Sequence, residues 1–261
     1  LKRLLPRHGQ LLFERDIWSI LSEAAAALVQ PSSPRLTASD VNRWLRAWSR
    51  YKMGPAAAKH AMLRSVAVAQ SVRPHDIPFA LGESWRKLYP QLVPLISFGG
   101  LAAGQWQRYF RTNREMERIA FGPPAEHVAK LLRLIRERVV TLGIDDRNER
   151  ARRGRSDDAV LNAVIASPTE RAPNGPLAKL IAEGIVQVDA QSGAVRVGRD
   201  GFTGEHGLAV FGRATEGWIV GNDTLSRTMH PQIECWAQRV RELIPSSTTP
   251  PPLLPSPTTP A

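Results

Sequence analysis

Cysteine is nearly missing from this sequence. Cys235 is the single one in 261 residues, which excludes an intramolecular disulfide framework and a thiolate zinc cluster. Long apolar runs are also missing: none approaches the roughly 18 residues that a membrane-spanning helix requires. No charged-then-apolar leader with a small-residue cleavage site opens the chain, so the expected setting is a reducing cytoplasm, with no membrane partner. Several enzyme signatures are absent as well. There is no G-x-G-x-x-G dinucleotide fingerprint, no Walker lysine motif and no G-x-S-x-G elbow. His8, His60, His75, His127, His206 and His230 include no H-E-x-x-H or H-x-H spacing, which argues against a metal site.

What is present is an ordinary globular mix, with 43% hydrophobic and 23% charged residues. The net charge of +11 is unevenly spread. Residues 1–155 hold 27 Lys and Arg against 13 Asp and Glu, a balance of +14, whereas residues 156–261 hold 8 against 11, a balance of −3. That asymmetry points to two units with different roles. Pro245–Ala261 holds 7 Pro and 7 Ser or Thr, a composition that cannot build a core. The expected division is a helical domain over 1–145, a second unit over 146–244 and a disordered tail over 245–261.

Helical periodicity dominates the first unit. Ile17, Ile20, Leu21, Ala24 and Leu28 recur at helical spacing. Thr37 precedes Asp40 by three residues, a capping-box pattern before the apolar face of Val41, Trp44, Leu45 and Trp48. Gly54-Pro55 opens another helix, with a small stripe of Ala58, Met62, Ser65, Val66 and Ala69. Shorter helices are expected at 79–89 and 104–120, and the strongest one over 124–142.

The second unit reads differently. Ala159–Ala166 is a nearly continuous apolar run of strand length, the pattern of a strand buried on both faces of a parallel sheet. Ile185–Val188 and Ala194–Val197 flank a turn-rich stretch and read as a hairpin, followed by apolar segments Leu208–Phe211 and Trp218–Val220. Helices are expected at Leu177–Glu183, stopped by Gly184, and from Pro231 to Leu243. The fold class expected is therefore α/β overall, a mainly helical inserted domain followed by the closing strands, hairpin and last helix of a sheet domain. That sheet is incomplete here, because an orphan parallel strand leaves backbone groups unpaired. With Leu1 rather than Met at the start, the missing strands are expected upstream.

Gly207–Val240 resembles the carboxy-terminal end of a family of FAD/NAD(P)-binding proteins that includes flavin-dependent urate hydroxylase and a bacterial monooxygenase acting on the amine of aspartate. The elements that carry the resemblance are Leu208–Phe211 and Gly212, then the turn Gly221-Asn222-Asp223-Thr224, then a closing helix with Trp236-Ala237. Ala159–Pro168 is similar to the strand that re-enters the flavin domain. Leu81–Pro90 and Glu115–Pro124 are similar to the helical middle region. The resemblance implies a Rossmann-like flavin domain and an FAD- and NAD(P)H-dependent, monooxygenase-like oxidoreductase acting on a small polar substrate. It also implies that Ser167, Gly212, Asn222, Asp223 and Thr224 face the cofactor. The amino-terminal unit that grips the FAD pyrophosphate is not in this sequence, so the chain is expected to be a piece of such a protein.

Residue chemistry alone leaves other readings open. Asn222, Asp223 and Thr224 also suit a helix cap without a ligand. Gly201–Gly207 lies between two apolar runs, which favours a connecting loop over a phosphate loop. Arg86 is a substrate-contact candidate in a Trp- and Tyr-flanked helix. Arg108, Arg111, Arg114 and Arg118 form a basic stripe that could meet phosphates or pair along their own helix. Arginine outnumbers lysine 29 to 6, which favours a compositional origin for the stripe and makes nucleic acid an unlikely partner. The competing function is a non-catalytic basic helical module that binds an acidic partner or nucleic acid.

Overall fold

A computed structural model of the chain describes residues 11–31, 33–48, 53–143, 175–204, 207–221 and 229–244. Among these residues there are eight α-helices and one 3₁₀ turn. No helix among them is long and apolar enough to cross a membrane.

The first helix, α1 (Glu14–Val29), buries Ile17, Trp18, Leu21, Ala25 and Val29. It packs between α2 (Ala38–Trp48) and α4 (Ile77–Ile96). The start of α2 is fixed by the expected capping box. The Thr37 amide and hydroxyl both donate to Asp40 Oδ2, and the Asp40 amide donates back to Thr37 Oγ1 at 3.3 Å. α4 begins at Asp76, whose Oδ1 accepts from the amide of Phe79 at 3.1 Å. The sequence placed the end of this helix at 89, before Pro90. It instead runs through Pro90 and Pro94 to Ile96. Each proline deletes one backbone donor. Burial of Leu92, Val93 and Ile96 keeps the last turns helical.

Against α4 lies α5 (Trp106–Ala120), drawn close where Gly82 faces Ile119. The core of this body is aromatic: Trp18 stacks on Trp85 and on Tyr109, with ring centroids 5.6 and 5.5 Å apart. Trp85 and Tyr109 are fully buried. α3 (Pro55–Ala69) and α6 (Ala125–Arg136) form an adjacent pair in which only Val68 and Leu132 are buried. Of the small stripe read along α3, Ala58, Met62 and Val66 are half-buried, whereas Ser65 and Ala69 are exposed. α6 is also shorter than the 124–142 expected. It ends at Arg136, and Arg138 leaves it in the left-handed region at φ 60°.

The expected α/β class is not what forms. Among the described residues there is no strand; four isolated β-bridges are all the pairing there is, including Val188 with Val195 and Phe202 with Ala209. The reason is local. The apolar segments are three or four residues long, and glycines with positive φ (Gly193, Gly201, Gly212, Gly217 and Gly221) turn the chain before a ladder extends. Val186, Val195, Val197 and Ile219 therefore form a small buried cluster under loops, beside α7 (Pro176–Ala182), not the inner face of Rossmann-like closing strands. Ala159–Ala166 lies outside the described residues. The last helix, α8 (Gln232–Leu243), forms as expected, but with Ile233 facing outward and Gln232 inward.

Candidate functional site

Of the residues singled out for a cofactor, Ser167, Asn222, Asp223 and Thr224 lie outside the described residues. Gly212 opens the 3₁₀ turn Gly212–Thr215 at φ +75°, and nothing lies within 4 Å of where a Cβ would stand. Arg86, the substrate candidate, is engaged within the helical body. Its guanidinium donates to the carbonyl of Ala120 at the end of α5 and pairs with Glu83 one turn back on α4. The structure therefore gives Arg86 a role tying α4 to α5, and the two described candidates belong to different parts of the chain.

What the fold brings together is the end of α4 and the segment before the Gly221 turn. Ser97 caps α4, and its Oγ accepts from the amide of Val220 at 3.0 Å. The amide of Phe98 donates to the carbonyl of Trp218 at 2.6 Å, and Trp218 Nε1 donates to the carbonyl of Val197 at 2.8 Å. His230 Nε2 lies 2.6 Å from the carbonyl of Val220. Gly221 is pressed onto α4: at φ +70°, an added Cβ would stand 3.1 Å from Val93 Cγ2 and 3.4 Å from the Tyr89 hydroxyl. Leu81–Pro90 and Gly207–Gly221, far apart in the sequence, thus meet at Tyr89 and Gly221. Ser97, Phe98 and Trp218 belong to no motif in the sequence; the Gly99-Gly100 pair that follows the helix is the one local mark of a turn beside them.

Two arginines of the basic stripe are engaged within the chain. On α5, Arg118 pairs with Glu115 and lies over Trp48, while Arg114 lies 5.8 Å from the centroid of Phe110. An open groove of about 490 Å³ between α1 and α2 is lined by Ser19, Glu23, Asn42, Arg43 and Arg46. Its cations are engaged, Arg43 with Asp40 and Arg46 with Asn42. Hydrogen bonds from Thr37 hold the Asp40 carboxyl below its usual range, with Arg43 adding to the effect. Burial, and then the charge of Glu117, push the Tyr109 phenol well above its ordinary value. Neither group faces a partner suited to acid–base chemistry. Among the described residues no three His, Cys, Asp or Glu side chains converge as metal ligands.

FAD requires a run of free amides at a glycine turn opening a helix, which would hold its pyrophosphate. Two described helices open at a glycine, α3 at Gly54 and α7 at Gly175, but each has a proline in its first turn, which removes one of the free amides. The others open at residues such as Phe13, Asp76, Gln105, Pro124 and Pro231. The glycine-rich stretch from Gly201 folds back on itself, with Val210 donating to Gly201 and Thr203 to Leu208. The described residues leave room beside Gly212 but supply no seat for the pyrophosphate, so they do not fit the whole cofactor. Comparisons of the chain with protein-family models, with curated proteins and with solved structures gave no match.

Proposed function

We propose that the chain is the helical, substrate-side part of an FAD- and NAD(P)H-dependent oxidoreductase of monooxygenase type. The observation that supports this most is the contact of Gly221 with Tyr89 and Val93. It joins segments that lie far apart in the sequence yet resemble one family in the same order. In this reading the aromatic body of α1, α4 and α5 shapes the pocket for a small polar substrate, and the flavin supplies the redox chemistry. The pyrophosphate is held by residues other than those described, so no catalytic acid or base is assigned here.

Two measurements test the reading together. The coding DNA immediately upstream of Leu1 is expected to continue in frame into a G-x-G-x-x-G segment. Absorbance from 300 to 550 nm of the purified chain, after incubation with FAD and desalting, is expected to show no flavin band until that segment is included. A stop codon directly upstream, together with no flavin band in any form of the protein, would reject the proposal.

A further inference from the structure

The segment from Ala194 to Arg199 alternates sharply. Ala194, Val195 and Val197 are buried, while Arg196 and Arg199 are exposed. Both guanidinium groups lie over aromatic rings. Arg196 Cζ stands 4.7 Å from the centroid of Trp218, and Arg199 Cζ stands 5.1 Å from that of Phe98. The rings themselves meet edge to face, with centroids 6.5 Å apart and planes at 86°.

This platform is fixed from below. Trp218 is tied through Nε1 to Val197, and Phe98 through its amide to Trp218. Phe98 also sits in the left-handed region at φ 60°, which a bulky side chain rarely adopts. The surrounding bonds hold it there, and the ring is thereby placed under Arg199.

Neither guanidinium has a carboxylate within ion-pair distance among the described residues, unlike Arg43, Arg64 and Arg213. Asp200, next along the chain, accepts from the amide of Phe202, and Asp189 accepts from Gln191 and Ser192. A guanidinium that rests its face on a ring keeps its in-plane N–H groups for an acceptor outside, and part of its ordering is already complete. The two rings that carry them have centroids 6.5 Å apart, so a single edge-to-face pair presents two cationic forks, a chemistry suited to the oxygens and double charge of a phosphate.

We propose that Arg196 and Arg199, seated on Trp218 and Phe98, form a binding site for the phosphate of a phosphorylated small molecule. The site stands whether or not the flavin reading holds. Its phosphate could be carried by an ester or be free in solution, and the two sources are separable.

The test is calorimetric titration of the full chain at low salt with inorganic pyrophosphate, NADPH and NADH, the last two differing by one phosphate ester. Pyrophosphate or NADPH is expected to bind, and R196Q and R199Q are each expected to weaken that binding about tenfold or more. R196K keeps the charge but not the planar fork, and should fall between. R136Q, at an exposed arginine paired with Glu137, should bind like the wild type. A preference for NADPH over NADH assigns an ester as the source, whereas pyrophosphate binding without that preference assigns free phosphate. Far-UV circular dichroism identical to the parent shows that each variant is folded. The proposal is overturned if neither pyrophosphate nor NADPH binds at millimolar concentration, or if R196Q and R199Q bind as tightly as the parent chain.

Discussion

Ser97 Oγ accepts the amide hydrogen of Val220, a residue 123 positions further on, and both partners are 5% exposed. The bond therefore joins the end of α4 to the carboxy-terminal segment inside a dry contact. Removing the hydroxyl in S97A leaves the Val220 amide buried without an acceptor, at a cost of about 1–3 kcal/mol. Urea unfolding followed by tryptophan fluorescence should show that loss as a lower midpoint with an unchanged slope. A midpoint equal to the parent's would mean that water reaches the amide.

Gly221 and Gly212 both have positive φ, but only Gly221 is crowded. An alanine at either position meets the left-handed backbone penalty, about 1–2 kcal/mol. G221A also forces Val93 or Tyr89 to move, because its Cβ would stand 3.1 Å from a methyl of Val93. Thermal unfolding is therefore expected to rank the parent chain above G212A, and G212A above G221A. Equal losses in the two variants would show that the contact at Tyr89 and Val93 yields freely.

The helices were legible because their causes are local. The Thr37–Asp40 pair acts as the capping box its spacing announced, and α2 buries Val41 and Leu45 of its expected face. In α1 Ile17 and Leu21 are buried as the period of 3.6 puts them, but Leu28 is exposed and Trp18, Ala25 and Val29 complete the buried line. Pro90 misled because a missing donor is visible in a sequence, whereas the burial of Leu92, Val93 and Ile96 that outweighs it is a tertiary effect. The sheet misled for the opposite reason. Short apolar runs between turn residues look alike whether they extend a ladder or close one bridge, and a glycine's sign of φ is not written in its neighbours. Of the candidate site, Gly212 and Arg86 are visible in the sequence, but the bonds that join Ser97 to Val220 and Phe98 to Trp218 span more than a hundred residues, and no local pattern encodes them.

Asp40 gives the α2 cap a pH dependence with a definite sign. Its folded-state pKa lies below the ordinary 3.8, chiefly through hydrogen bonds from Thr37. The stabilisation is therefore present in full above the unfolded value and is lost as the pH falls through the folded one. In T37A those hydrogen-bond donors change, and the Asp40 carboxyl should titrate closer to 3.8. Carbon-detected NMR of the Asp40 carboxyl in the parent and in T37A would show the shift. An unchanged titration would place the cause in the backbone amide at position 37, which T37A keeps, or in Arg43, and R43Q would separate the two.

Tyr109 carries the reverse sign at the alkaline end. Its ring is fully buried between Trp18 and Trp106, and its hydroxyl donates to Asn113 Oδ1 at 3.1 Å. Burial first, and the nearby charge of Glu117 second, raise its pKa well above the ordinary 10.0. A group raised in the folded state contributes stability below its unfolded pKa and withdraws it as the pH climbs past that value. Absorbance at 295 nm, followed as the pH is raised, should therefore show a phenol that ionises only when the helical body unfolds. In Y109F that late step should vanish, while Trp18 and Trp106 keep an aromatic ring between them. If all three phenols of the parent chain ionise together near pH 10 with the helices intact by circular dichroism, Tyr109 is reached by water, and the stacking of Trp18 on it is not the closed core described here.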